Sequence, residues 1–417
     1  MERIEQHSHG QKESFDGLGI APKFLETLKH LGFTIPTPIQ SQAIPVAIEG
    51  KDIVGIAQTG TGKTLAFGVP MIQLLEQRPV SRGLVILPTR ELALQVDRAL
   101  GRMGRIRTAV LIGGSSMRFQ IQDLAKNPRV IVATPGRLID HLKQKTLTLR
   151  AVEIVVLDEA DRMLDMGFAP QINEIFRALP KERQMMLFSA TMPPEIMKIA
   201  SSYMRLPVRV EIAPTGTTAE GVTQELFIVQ RTQKYALLLK LLESYRGSTL
   251  VFSRTKYGAT KILRQLKANG VNAAEIHSNR SLSQRKEALD GFRTGRYRVL
   301  IATDIASRGI DVRGIELVVN FDLPSTSDDY VHRIGRTARA GARGHAITFA
   351  MPDQTKEVRD IERLIRKNIP VSKLPELPQL HMVQADAPSF SRDRFRSRQA
   401  GSPRPFRQYP RAPRKKY

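Results

Sequence analysis

The segment VVLDEADRMLDMGF (155–168) sets Asp158, Glu159, Asp161 and Asp165 directly behind a run of aliphatic residues. Carboxylates at the end of a buried-looking strand are costly to desolvate unless something compensates them. Two readings fit: a solvated loop, or a site for a metal ion and a water. A second segment, GIAQTGTGKT (55–64), supplies a partner for the acids. Its turn of Thr59, Gly60, Thr61 and Gly62 lies between a strand pattern and the helical run LAFGVPMIQLLEQ. Such a turn lets backbone N–H groups approach a polyphosphate at a helix N-terminus, where anions are favoured. Lys63 would reach the β and γ phosphates, and Thr64 would bind Mg2+ through its hydroxyl. The strict pattern begins with Gly where this chain has Ala57, a departure that the strand–loop–helix context offsets. Beside such a loop, Asp158 suits a Mg2+ role and Glu159 suits orienting or deprotonating an attacking water. Asp161 and Asp165 are expected in ion pairs or in solvent.

These segments need a scaffold, and the rest of the chain supplies its pattern. Short β-branched runs at 52–58, 83–88, 108–113, 129–135, 153–158 and 184–190 alternate with amphipathic stretches such as ELALQVDRALGRMG. That alternation predicts a parallel sheet covered by helices. It resumes at 248–253, 271–278, 297–304, 315–322 and 345–350. The organisation read from it is one α/β domain over 1–212, a linker rich in Gly, Pro and Thr over 213–222, and a second α/β domain over 223–377. Residues 378–417 lose the periodicity and become Arg, Pro and Ser with scattered Phe and Tyr. That composition predicts a disordered basic tail suited to loose RNA binding or to solubilisation.

Charge points to the partner. The 417 residues hold 64 Lys+Arg against 40 Asp+Glu, a formal net charge of +24. Residues 390–417 carry ten Lys/Arg and one acid, which leaves +15 on the remainder. A polyanion is the natural partner, nucleic acid ahead of a membrane surface. The absence of cysteine excludes disulfides and thiolate metal sites and fits a reducing cytoplasm. No apolar run is long enough to span a membrane, and the N-terminus lacks a signal-peptide core.

The string DEAD (158–161) together with AQTGTGKT resembles the DEAD-box ATP-dependent RNA helicases. Further segments stand in that family's order: GFTIPTPIQ (32–40), PTRELA (88–93), Gly113–Gly114, TPGR (134–137), SAT (189–191), VFSRTK (251–256), ATDIASRGID (302–311) and HRIGRTARAG (332–341). The resemblance covers about residues 15–370 and is most like the bacterial RhlE-like branch. It implies two tandem RecA-like α/β domains with ATP, Mg2+ and RNA between them, acting as a cytoplasmic monomer. Gln40 would read the adenine edge, Phe33 would stack on it, and Phe15 would support that wall, core packing being the alternative for both rings. Arg336 and Arg339 would be arginine fingers. His332 would link the nucleotide to the SAT segment, and Arg308 and Asp311 would touch ribose or phosphates. RNA contacts are implied at Arg90, Gly114, Thr134, Gly136, Arg137, Arg254, Arg285 and Thr303, with Ser189 and Thr191 coupling the two sites. The activity implied is RNA-stimulated ATP hydrolysis driving local, non-processive unwinding, on ribosomal particles or with RNA-decay machinery among the open settings. A DNA-directed motor of the same superfamily, a non-catalytic RNA clamp or annealing protein, and a P-loop kinase or GTPase are the rivals. Two departures stand out. Leu282 occupies the place of a common Gln, which is displaced to Gln284, and Ala338 replaces a common Gly, tolerable unless φ there is positive.

Overall fold

Strands of four to seven residues, most of them apolar on both faces, can be buried only in a sheet covered on two sides. The structure, a computed structural model, describes residues 14–58, 60–212, 222–307, 312, 314–338 and 344–378. It contains two such sheets. The first comprises β1 (Ile53–Ile56), β2 (Arg82–Ile86), β3 (Thr108–Leu111), β4 (Val130–Ala133), β5 (Val152–Leu157), β6 (Gln184–Ser189) and β7 (Val208–Glu211). Its order is β3-β4-β2-β5-β6-β1-β7, with every pairing parallel. The second comprises β8 (Val222–Ile228), β9 (Thr249–Phe252), β10 (Ala273–Ile276), β11 (Val299–Ala302), β12 (Leu317–Asn320) and β13 (Gly344–Ala350). Its order is β10-β11-β9-β12-β13-β8, again all parallel.

Helices α1 (Pro22–His30), α2 (Pro38–Ile48), α3 (Lys63–Gln77), α4 (Arg90–Met103), α5 (Met117–Ala125), α6 (Pro135–Lys143), α7 (Ala160–Asp165), α8 (Ala169–Ala178) and α9 (Pro194–Tyr203) accompany the first sheet. The second has α10 (Lys234–Ser244), α11 (Lys256–Ala268), α12 (Leu282–Arg293), α13 (Asp304–Ser307), α14 (Ser327–Ile334) and α15 (Thr355–Ile365). Alternate residues of one strand feed opposite layers. Ile154 and Val156 of β5 join the core that includes α3, whereas Val155 and Leu157 join the core under α8. The second sheet is covered the same way on its two faces. No described helix is long and apolar enough to cross a membrane.

Two strands carry no run in the sequence pattern: β7 and β8. Both are edge strands of their sheets, β8 meeting only a single bridge from Leu226 to Val371 on its outer side, and both leave several residues part-exposed. Their polar alternation, as in VTQELFI, lacks the continuous apolar run that marks the central strands. Most of the segment read as a linker, and nearly all of the segment read as a tail, lie outside the described residues.

Candidate active site and nucleic-acid interface

In a parallel sheet all strands end on one side, and the loops leaving those ends gather there. Beyond β1 the chain keeps pairing for one residue, as the Ala57 N–H donates to the Ser189 carbonyl at 3.0 Å. Ala57 is buried in the core, so its methyl group is accommodated where the strict pattern has Gly. The loop then turns through Gly60 and Gly62, whose φ of 88° and 91° favour glycine. Gly62 is the N-cap of α3 and brings no side chain to the helix start, the end of a helix that favours an anion. Lys63 is buried, donates to the Ala57 carbonyl at 3.0 Å, and stands 4.0 Å from Asp158. Thr61 donates its hydroxyl to Gln58 O at 2.7 Å, and Thr64 is half-buried in the first turn of α3. Thr59 lies outside the described residues.

Gln40 joins this loop to α2. Its Oε1 accepts the Thr37 N–H at 2.9 Å, and its Nε2 donates to the Gly62 carbonyl at 3.1 Å. A methyl at Gly62 would collide with that amide. One N–H and one lone pair of the amide remain for an adenine edge. Phe33 is 38% exposed, with ring surface open to stacking, whereas Phe15 is 4% exposed and buried in the core. Phe15 can back a wall but offers almost no face to a ligand.

The acids after β5 are not a solvated loop. Asp158 is 3% exposed and Glu159 is 5% exposed. Burial pushes the Asp158 carboxyl up to about 6, against the pull of Lys63. Glu159 adopts φ 53°, a left-handed conformation that costs a non-glycine residue about 1–2 kcal/mol. Its Oε2 is buried without a hydrogen-bond partner. Two buried carboxylates, one of them with an orphaned oxygen, fit a cation and a water. Among the described residues no three His, Cys, Asp or Glu side chains cluster to hold a metal by themselves. Asp158 and Thr64 therefore fit a cation that brings oxygen ligands of its own, as Mg2+ does with a nucleotide.

Asp161 corrects the expectation from sequence. It is 4% exposed and pairs with the SAT segment rather than with solvent. Its Oδ2 accepts from the Ala190 N–H (3.1 Å), the Thr191 N–H (3.0 Å) and the Thr191 hydroxyl (3.1 Å). Its own N–H donates to Ser189 Oγ at 3.2 Å. Sequence spacing gave no hint of this, because the two segments stand at the ends of β5 and β6, neighbours only in the sheet. Asp165 does sit in a part-exposed ion pair, with Arg162 at 3.5 Å.

Arg162, which the motif reading passed over, carries the link to the second sheet. Its side chain is 4% exposed, and Nη1 lies 2.5 Å from Asp329 Oδ1 on α14. That helix ends at His332, Arg333 and Ile334, and Arg336 follows, buried, donating through Nε to the His332 carbonyl at 3.2 Å. His332 Nδ1 is buried without a hydrogen-bond partner. Arg333, also missed, clamps Asp304 with both arms at 2.6 and 2.8 Å and donates to Asn320 and to the Asp322 carbonyl. It fixes α14 on its sheet. Ala338 has φ 51°, the case in which its methyl group is strained. Arg308, Asp311 and Arg339 lie outside the described residues.

A second set of loops stands beside this one. In the order β3-β4-β2, the strand ends lead to Gly113–Gly114, to Thr134, Gly136 and Arg137, and to Arg90. The Arg90 guanidinium packs so closely on Gly113 and Gly114 that a Cβ at either would crowd it, and Gly114 has φ 75°. Thr134 is the N-cap of α6 without a side-chain cap bond, and nothing lies within 4 Å of a Cβ built on Gly136. Arg137 donates to Ser115 O at 2.9 Å. In the second sheet, Arg254 follows β9, its N–H on Asp322 (3.1 Å) and its Nη2 on Leu323 O (3.2 Å). Thr303, half-buried, follows β11. Arg285 is not on an open surface: it is 8% exposed and pairs with Glu91 of the PTRELA segment at 2.6 Å. Beside it, Leu282 packs against the first sheet's core, an apolar contact where the family often places Gln. The displaced Gln284 closes a capping box on Ser281, accepting its N–H at 3.0 Å.

Comparison with known proteins places this geometry. Residues 37–199 match the DEAD/DEAH box helicase family, and residues 233–341 match the helicase conserved C-terminal domain. The chain is 38% identical over 377 residues to the DEAD-box ATP-dependent RNA helicase RhpA of Helicobacter pylori, covering 89% of this chain and 77% of that protein. It is 42% identical over 357 residues to the ATP-dependent RNA helicase CshA of Limosilactobacillus reuteri, covering 84% and 72%. Saccharomyces cerevisiae Dbp5 bound to RNA and ADP BeF3 superposes with a TM-score of 0.79 at 31% identity, over 87% of this chain and 96% of that one. A single-residue variant of Dbp5 bound to a variant of Gle1 and to IP6 superposes at 0.69 with 30% identity, over the same 87% and 96%.

Proposed function

Since the chain belongs to the DEAD-box ATP-dependent RNA helicase family, we propose that it hydrolyses ATP in response to RNA and uses the cycle to separate short RNA duplexes. The observation that carries this reading is the Arg162–Asp329 pair. It joins the helix starting inside the DEAD string to the helix that delivers Arg336. Catalysis and closure of the two halves then share one set of contacts.

In the proposed cycle, the first turn of α3 and Lys63 bind the phosphates of ATP while Gln40 and Phe33 hold the base. Mg2+, on Thr64 and Asp158, would neutralise charge on the phosphates. Glu159 takes the proton of the attacking water at its unpartnered Oε2, and phosphate leaves from ADP. Arg336 and Arg339 add positive charge from the second half, an effect of about 10³–10⁵ in rate for such fingers. Asp161 holds Ser189 and Thr191 in register, so the hydrolytic acids and the SAT turn move as one piece. RNA lies across the ends of β2, β4 and β3 and across those of β9 and β11, through sugar and phosphate, with 2′-hydroxyl groups separating RNA from DNA. A strand held by both halves favours closure, and closure completes the site. Bending of the held strand expels its complement, so unwinding is local, and hydrolysis resets the clamp. We place the action in the cytoplasm, by a monomer, on structured RNA or RNA–protein particles.

The test is steady-state ATPase with single-stranded RNA, with DNA of matched sequence, and without nucleic acid, using Lys63→Ala as control. Strong stimulation by RNA alone, abolished by Lys63→Ala, is expected. Equal stimulation by DNA, or turnover in Lys63→Ala, would overturn the proposal.

A further inference from the structure

The three loops assigned to RNA in the first half stand in a row, on β2, β4 and β3, and β3 is the edge of its sheet. A strand following them leaves the sheet past Gly113–Gly114. The next element there is α5, with Ser116 at its N-cap position and its start two residues beyond Ser115, whose carbonyl Arg137 holds. The first turn of α5 carries no acid. It presents exposed Arg118 and, beside it, Phe119 with 64% of its surface open. Single exposed apolar residues are common, but this ring sits in a fixed place. Its neighbour Gln120 is 3% exposed, donates to Ile112 O at 2.9 Å, and meets His141 of α6 at 3.2 Å. That buried amide keys α5 to the end of β3 and to α6, and so leaves residue 119 outside.

We propose that Phe119, with Arg118, is a stacking seat for a nucleobase of the RNA strand at the point where the strand runs off the first sheet. The proposal rests on the RNA reading above and adds a contact that reading lacks. Every other contact assigned is to backbone, whereas a flat ring recognises the face of a base. Such a seat accepts any base but favours purines, whose face is larger. The adjacent guanidinium suits the flanking phosphate or the second face of the base. RNA is favoured over a protein partner because the seat continues the phosphate-binding row and carries positive charge.

The chain has no tryptophan, so Phe119→Trp places a single indole at the seat. The full-length variant would be titrated with oligo(A) and with an abasic oligoribonucleotide of equal length, in the presence of a non-hydrolysable ATP analogue. Binding would be followed in parallel by anisotropy of a dye on the RNA. Quenching of the indole by oligo(A), with none by abasic RNA that binds, is expected. Phe119→Ala should raise the oligo(A) concentration for half-maximal ATPase about tenfold at unchanged kcat, and should leave the abasic titration unmoved. Binding of oligo(A) without quenching, or equal effects of Phe119→Ala on both RNAs, would overturn the seat while leaving the backbone clamp intact. An indole signal that tracks protein concentration instead of RNA would assign the ring to contact between copies and overturn it equally. If neither RNA binds, the RNA reading itself falls and the seat with it.

Discussion

Glu159 and Ala338 are non-glycine residues held at positive φ, one inside the DEAD string and one inside the HRIGRTARAG segment. Strain of this kind persists only where the surroundings over-determine it. At Glu159 it turns a buried carboxylate toward a place where its Oε2 has no protein partner. Glu159→Gln keeps the shape and removes the base, so kcat should fall about 10²–10⁴-fold while ATP and RNA binding persist. Single-turnover hydrolysis beside equilibrium binding of both ligands checks it, and wild-type turnover would remove Glu159 from the mechanism. At Ala338 nothing but the methyl group creates the strain. Ala338→Gly should therefore stabilise the second half by about 0.5–1 kcal/mol, after allowance for the greater freedom of Gly in the unfolded chain. A higher urea midpoint would show it, and a lower one would mean that the methyl's packing outweighs the strain. Lys63, Asp158 and Glu159 were legible because loop chemistry fixes their types and spacing. Asp161 and Arg333 were not. Their partners come from other strands and loops, and nothing in a residue's type separates a buried hub from a surface charge.

Between elements, the two halves meet through contacts of different chemistry: the buried Arg162–Asp329 pair, the buried Arg285–Glu91 pair, and Leu282 on the first core. Removing one partner of a buried pair leaves the other charge uncompensated, typically at about 3–5 kcal/mol. In the proposed cycle the halves part and rehydrate Arg162, so the loss should appear in closure rather than in folding. Asp329→Asn retains an oxygen for Thr326, which donates to Oδ2 at 3.0 Å, but removes the charge. We expect the mutual strengthening of RNA and ATP-analogue binding to drop about 10–100-fold, within the usual range of coupling energies, with thermal unfolding unchanged. RNA affinity measured with and without the analogue decides, and unchanged coupling would remove the pair from closure. The same scale explains what the pattern of elements withheld. Central strands announce themselves as apolar runs because both faces are buried. β7 and β8 lie at sheet edges, and their half-polar sequences show no such run.

Across the whole molecule the dominant quantity is charge. A net +24 on 417 residues is spread over both residues 1–389 and residues 390–417. Cations that meet phosphates release counterions, so the logarithm of RNA affinity should fall with the logarithm of salt by about 0.7 per phosphate neutralised on a single strand. The loops of the two sheets account for only part of the available cations. Residues 390–417 supply ten more with a single acid. If these meet RNA, removing residues 379–417 should flatten the salt dependence. Engagement of three of the ten would lower the slope by roughly 2. The maximal RNA-stimulated ATPase rate should stay the same, because closure and hydrolysis use residues before 340. RNA binding at four salt concentrations, for the full chain and the shortened one, separates the two contributions. A flatter slope with intact kcat assigns the end of the chain to capture of RNA and the sheets to its remodelling. Identical slopes would mean that its charge never reaches the phosphates, and the basic excess of the two sheets alone would have to carry the attraction.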